Sequence, residues 1–280
     1  MEVIAHRGAS GDRPEHTLAA YALAIEQGAR IIEPDLVASA DGVLYCRHDA
    51  GARRSTDIAL RRGLAAEADV DFCQLDAAEI DQLRCVQPWP ARPQHFNGRY
   101  PVPRFSDLLD LIEAESRRRG RRLLVYPEAK RPADFARAGL DVVGLLAAEL
   151  ARRQWRGPSA PVWLQCFDHD ALSELAARTQ LPCFALVDET MAVDLAALSR
   201  WSRGLGVSKR RLLDANGGAT AFSREAIGRG LKLHAWTVRH DQPNPSFADA
   251  AEELRALRQI GVSAVFCDFP GRALGDLHTG

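Results

Sequence analysis

Short apolar runs alternate with longer amphipathic stretches along the whole 280-residue chain. The runs at 3–6, 31–36, 43–47, 123–128, 162–166, 183–187, 205–207, 233–238 and 264–267 have strand length. Segments 17–27, 105–119, 135–153, 169–178, 191–203, 223–229 and 247–259 carry the helical spacing of apolar positions. Such alternation implies parallel strands joined by right-handed crossovers, hence an α/β barrel or a doubly wound sheet. Nine strand candidates lie close to the eight of a barrel, and no glycine-rich dinucleotide loop follows the first, so the expected fold is a TIM-type (β/α)8 barrel. Asp41-Gly42 between apolar runs signals a hairpin. Which of its two strands belongs to the ring stays open at this level.

Residues 49–104 break the rhythm. They hold little strand signal, a short helix near 77–84 and the segment Gln87-Pro88-Trp89-Pro90-Ala91-Arg92-Pro93. A loop of this length inside a compact domain is usually functional or disordered. Trp89, Phe96 and Tyr100 favour order, as a cap over the barrel or as anchors on its rim. The expected organisation is a single domain over 1–280 with a cap insertion at 49–104.

Charge narrows the partners. With 36 Lys+Arg against 37 Asp+Glu, the net charge of −1 argues against an extended basic face for nucleic acid or an anionic membrane. The positive side is nearly all arginine, the lysines being Lys130, Lys209 and Lys232 alone. No run approaches the roughly 18 apolar residues of a bilayer span, and the first residues lack the basic and apolar regions of a leader. The expectation is a soluble cytoplasmic protein without stable membrane insertion, or a periplasmic one if a leader has been removed. Oligomeric state is not specified. Six cysteines without metal-ligand spacing are expected to be free thiols, mostly buried.

The candidate chemistry sits at strand ends, where barrel active sites are built. The first strand ends in His6-Arg7-Gly8. The second carries Glu33 and Asp35, two residues apart and so on one face. His48-Asp49 follows the hairpin, and Glu128 and Lys130 share a face on the next strand. Each has a plainer explanation: a hydrogen-bonded structural histidine, solvated acids, a local Glu128–Lys130 ion pair. Their convergence favours chemistry. Three carboxylates suit a hard divalent cation such as Ca²⁺ or Mg²⁺. Two histidines can divide acid and base roles. Arg7 and Lys130 can offset an anion. Trp236 lines a pocket or fills the core, and Asp268 orients a neighbour or caps a turn.

Together, His-Arg-Gly-Ala at 6–9, Pro-Glu-His-Thr at 14–17, Glu-Pro-Asp-Leu at 33–36, Asp-Gly-Val-Leu at 41–44, His-Asp at 48–49, Pro-Glu-Ala-Lys at 127–130, Trp-Thr-Val at 236–238 and Cys-Asp-Phe-Pro at 267–270 resemble the glycerophosphodiester phosphodiesterase family. Ser-Thr-Asp at 55–57 and Arg131-Pro132 resemble the branch that includes secreted and periplasmic bacterial enzymes. The resemblance implies a cation on Glu33, Asp35 and Glu128, His6 and His48 as the acid–base pair, and Arg7 and Lys130 on the phosphate. It implies a cap that helps recognise glycerol, with Phe167 and Trp236 as candidate pocket residues. The implied reaction is hydrolysis of a glycerophosphodiester to sn-glycerol 3-phosphate and an alcohol. A phospholipase-type barrel phosphodiesterase acting on lysophospholipids and a catalytically silent phosphate-ester binding protein are the alternatives. An amidohydrolase is disfavoured because Gly8 stands where its first strand would carry a second histidine. Two departures from the family pattern are His16 in place of Asn, expected to be tolerated, and Cys166 in place of Ser, expected to alter a pocket contact.

Overall fold

The structure is a computed structural model that describes residues 1–279. Its strands are β1 (Glu2–His6), β2 (Ile31–Glu33), β3 (Asp35–Ala38), β4 (Leu44–Cys46), β5 (Leu124–Val125), β6 (Glu128–Ala129), β7 (Leu164–Cys166), β8 (Cys183–Val187), β9 (Gly204–Ser208), β10 (Lys232–Val238) and β11 (Ala264–Cys267). Pro34 interrupts β2/β3 and Pro127 interrupts β5/β6, because proline brings no N–H to a ladder. The ladder nevertheless runs through both: Tyr126 N–H donates to the Ile32 carbonyl and Glu128 N–H to that of Pro34. Each interrupted pair is therefore one stave. Parallel pairings then run from β1 through β2/β3, β5/β6, β7, β8, β9, β10 and β11 back to β1, closing a ring of eight staves. This is a TIM-type barrel. β4 pairs antiparallel with β3 outside the ring, so the 31–36 run is the stave and the 43–47 run the appended strand.

Period-two alternation organises the inside. Ile4, Ile31, Tyr126, Phe184, Ala264 and Phe266 form the apolar floor, with Trp163 packed against it. Two residues further along several of these staves stand His6, Glu33, Glu128, Gln165 and Asp268, all buried. The same alternation that fills the floor thus raises a polar layer above it. A second, larger apolar cluster lies between the staves and the surrounding helices.

The main helices form where their spacing predicts, with local caps. Thr17 Oγ1 accepts from Ala20 N–H at the start of Leu18–Glu26, Asp168 caps His169–Thr179 and Asp249 caps Ala250–Gln259. The helix expected over 135–153 is broken into Pro132–Arg137 and Val142–Arg152. Gly139 takes φ +79° after the first, and Asp141 starts the second by accepting from Gly144 N–H. The helix expected over 191–203 shrinks to Leu195–Leu198. The closing helix Pro270–Thr279 was not anticipated from spacing. Residues 49–104 are ordered and hold one more helix than expected: Ile58–Arg62 is helical, and Ala77–Ile80, within the expected short helix, carries an Asp76/Glu79 capping box. Ile58, Phe72, Leu75, Ile80, Leu83 and Cys85 of this segment bury into the same apolar cluster that covers the barrel. All six cysteines are free, and all but Cys73 are buried. Cys166 does not touch the cavity as expected, because its thiol points into the helical layer and donates to the Ala129 carbonyl at 3.1 Å.

Candidate active site

A cavity of about 380 Å³ opens above the aromatic floor, at the C-terminal ends of the staves. His6, Arg7, Glu33, Asp35, His48, Glu128, Lys130, Phe167 and Trp236 all line it, so every candidate residue meets the others at one place. Phe167 and Trp236 face each other edge to face, 5.9 Å between ring centroids.

The turn after β1 sets the geometry of one wall. Arg7 takes φ +60° and Gly8 φ +85°, and a Cβ on Gly8 would lie 2.6 Å from the Ala20 carbonyl carbon, so only glycine fits there. This bend lets Arg7 N–H donate to Glu33 Oε2 at 3.0 Å while the Arg7 side chain turns inward. Its guanidinium donates to both oxygens of buried Glu15 at 3.1 Å and lies 3.1 Å from Asp35 Oδ2.

Glu33, Asp35 and Glu128 place ligand atoms within 4.8 Å of one another. Gln165 Nε2 donates to Glu33 Oε1 at 3.1 Å, and Lys130 Nζ lies 2.9 Å from Glu128 Oε1 and 3.7 Å from Asp35 Oδ1. The expected alternative of a Glu128–Lys130 ion pair is thus realised, inside the cavity rather than at the surface. Burial and the neighbouring Asp35 charge push the Glu33 carboxyl well up, and the same two effects, opposed by Lys130, bring Glu128 to about 8. Burial would raise Asp35 as well, yet Lys130, Arg7 and the His16 hydrogen bond hold it well below the carboxylate range. Three acids that cannot all stay ionised by themselves, on oxygen ligands alone, fit a divalent hard cation.

The two histidines sit in different surroundings. His6 is buried, and its Nδ1 lies 2.6 Å from Asp268 Oδ1. Burial and the Arg7 charge lower its pKa to about 4, against the pull of Asp268. His48 is half-buried at the rim, with Nδ1 2.7 Å from Asp49 Oδ1. Arg54 also donates to Asp49, at 3.1 Å.

Further residues complete the site, of which Gln165, Arg92 and Arg239 were not anticipated. Asp268 takes the orienting role rather than the turn-capping one, and Arg92 and Arg239 both donate to its Oδ2. Gln165 stands between Trp163 and Phe167 on one stave, so period-two counting from Phe167 would have found it. Glu15, Arg92, Arg239 and Trp89 carry no such spacing signal. Trp89 and Arg54, from the 49–104 segment, line the cavity beside the barrel residues.

A TIM-type barrel whose mouth combines a cation-competent carboxylate cluster, two carboxylate-backed histidines and two positive side chains has the layout of an enzyme for phosphoryl chemistry. Residues 6–272 match the model of the Glycerophosphoryl diester phosphodiesterase family, and the chain belongs to that family. It is 54% identical over 284 residues to a Mycobacterium tuberculosis protein named "Probable glycerophosphodiester phosphodiesterase 1", covering 99% of this chain and 93% of that one. It is 26% identical to a Haemophilus influenzae glycerophosphodiester phosphodiesterase, over 96% of this chain and 87% of that one. The fold is also that of an Oleispira antarctica phosphodiesterase solved in complex with the product sn-glycerol-3-phosphate, at TM-score 0.76 and 22% identity, covering 99% and 97% of the two chains.

Proposed function

We propose that this chain is a glycerophosphodiester phosphodiesterase that hydrolyses its substrate to sn-glycerol 3-phosphate and an alcohol, using one divalent cation, Ca²⁺ or Mg²⁺, and the histidine pair His6 and His48. The observation that carries this reading is the meeting of both histidines with the Glu33, Asp35 and Glu128 cluster around one cavity.

Glu33, Asp35 and Glu128 would hold the cation, which supplies charge neutralisation for a bound phosphodiester. Arg7 and Lys130 neutralise carboxylates in the structure. The N–H groups of both that are not taken by those carboxylates offset charge on the phosphoryl oxygens. Asp268 accepts from His6 Nδ1 and Asp49 from His48 Nδ1, which leaves Nε2 of each imidazole as the atom that takes or gives a proton. One histidine removes a proton from the attacking oxygen, either that of water or the substrate's own glycerol hydroxyl, as it bonds phosphorus, and the other protonates the alkoxide as its P–O bond breaks. Attack by the glycerol hydroxyl leaves a cyclic phosphodiester that water then opens to sn-glycerol 3-phosphate with the two roles exchanged. Phe167 and Trp236 offer an apolar wall to the glycerol carbons, and the 49–104 segment closes the rim with Trp89 and Arg54.

The test is release of sn-glycerol 3-phosphate from glycerophosphocholine, glycerophosphoethanolamine and glycerophosphoglycerol, with a lysophospholipid in parallel. Turnover of the glycerophosphodiesters is expected, and cleavage of the lysophospholipid alone would overturn the substrate class. Chelation should abolish turnover and added Ca²⁺ or Mg²⁺ restore it. Full activity in excess chelator rules out the cation.

A further inference from the structure

His16 lies outside the cavity wall yet touches the acidic cluster. It is fully buried, at φ +59°, and its backbone N–H donates to the Arg7 carbonyl. Nε2 lies 3.0 Å from Asp35 Oδ2, and Nδ1 lies 2.8 Å from the Tyr21 hydroxyl. An ionised carboxylate only accepts, so Nε2 carries the hydrogen and bare Nδ1 accepts from Tyr21 O–H. Both ring nitrogens are thereby committed, and the ring has one orientation available.

This commits Asp35 too. Its Oδ2 takes His16 from one side and the Arg7 guanidinium, 3.1 Å away, from the other. The remaining oxygen, Oδ1, faces Lys130 Nζ at 3.7 Å, across the cluster. We propose that His16, its hydrogen held on Nε2 by Asp35 and its ring fixed by Tyr21, is a positioning residue that pins Asp35 by Oδ2 and so presents Oδ1 alone to the divalent cation. The proposal rests on the cation assignment above. Hydrogen bonds of this kind, from the protein to a ligating group, fix its rotamer before the ion arrives, and their loss typically lowers metal affinity about 10- to 100-fold.

The test is titration calorimetry of the full chain with Ca²⁺ and with Mg²⁺, with the melting temperature of each metal-free protein recorded alongside. Glu33→Gln should abolish binding. His16→Ala should weaken it about 10- to 100-fold. Tyr21→Phe, which keeps the ring and removes the hydroxyl, should weaken it less. His16→Gln should bind nearly as wild type does, because its amide N–H reaches the place of Nε2 and because Gln154 and Gln180 already adopt φ +59° and +58° in this fold. A residue that only filled space would lower the melting temperature of His16→Ala while leaving the affinity of the folded protein unchanged, and that result overturns the proposal. Should His16→Ala fail to fold, Tyr21→Phe decides, with wild-type affinity in it counting against the role of His16. If wild type binds neither cation, or Glu33→Gln binds as well as wild type, the cation assignment itself falls and takes this proposal with it.

Discussion

Asp268 stands directly behind His6, its Oδ1 2.6 Å from Nδ1, while its Oδ2 receives Arg92 at 2.7 Å and Arg239 at 2.9 Å. Burial would raise this carboxyl, but His6 and the two arginines keep it ionised. The carboxylate therefore fixes the hydrogen of His6 on Nδ1 and leaves Nε2 bare toward the cavity. In Asp268→Asn the two arginines would claim the amide oxygen, so the amide N–H₂ would face Nδ1 and drive the imidazole hydrogen to Nε2. The expected result is a fall in kcat of about 10²- to 10⁴-fold with little change in KM. A variant whose kcat stays near wild type would mean that the orientation of His6 does not matter.

Removal of either imidazole is a second check. His6→Ala and His48→Ala should each nearly abolish sn-glycerol 3-phosphate release while circular dichroism stays native, since a proton transfer in the transition state contributes roughly 10²- to 10⁴-fold. Either variant keeping more than about a tenth of wild-type turnover is incompatible with an essential proton-transfer role for that histidine.

The contact of Arg92 with Asp268 ties the 49–104 segment to the barrel. The Arg92 side chain is buried and also pairs with Asp241 at 2.8 Å. Arg92→Ala removes one partner from a buried charge, a change that costs on the order of 3 kcal/mol. It should also open the segment to proteases. Urea unfolding and limited proteolysis report the two effects separately. Unchanged stability with an unchanged cleavage pattern would show that the segment is held by its apolar contacts alone.

Much of this was readable from residues close in sequence. The eight staves follow from apolar runs, and His6, Glu33, Asp35, Glu128 and Lys130 follow from strand ends and period-two spacing. What escaped has a physical reason. The 135–153 pattern stays apolar at helical spacing across Gly139, so only the backbone bend and the Asp141 cap reveal the break. The thiol of Cys166 follows the alternation outward, away from the cavity that its neighbours Gln165 and Phe167 line. Arg92 is joined to Asp268 across 176 positions, and His16 to Asp35 across a left-handed turn of the kind that few non-glycine positions adopt. Such contacts depend on tertiary closure and leave no local pattern.

Below the polar layer, His234 replaces what would otherwise be one more apolar residue of the barrel floor. It is buried, stacked on Phe184 at 4.1 Å between ring centroids, with Nδ1 3.1 Å from the Tyr126 hydroxyl. Burial, with a smaller effect of Lys232, lowers its pKa from 6.5 to about 3, so the folded protein holds it neutral. The unfolded chain binds a proton at this residue below pH 6.5 and the folded chain does not, so its contribution is complete above pH 6.5 and is lost as pH falls toward 3. Between pH 7 and 5 the loss amounts to about 2 kcal/mol. His6 and His16, both lowered to about 4 by burial, add to the same acid limb, so the wild-type curve alone cannot isolate His234. His234→Phe keeps the stacking and removes the titration. Urea unfolding at pH 7 and pH 5 should therefore show wild type losing about 2 kcal/mol more than His234→Phe. Parallel losses in the two proteins would mean that His234 takes up its proton without unfolding the floor.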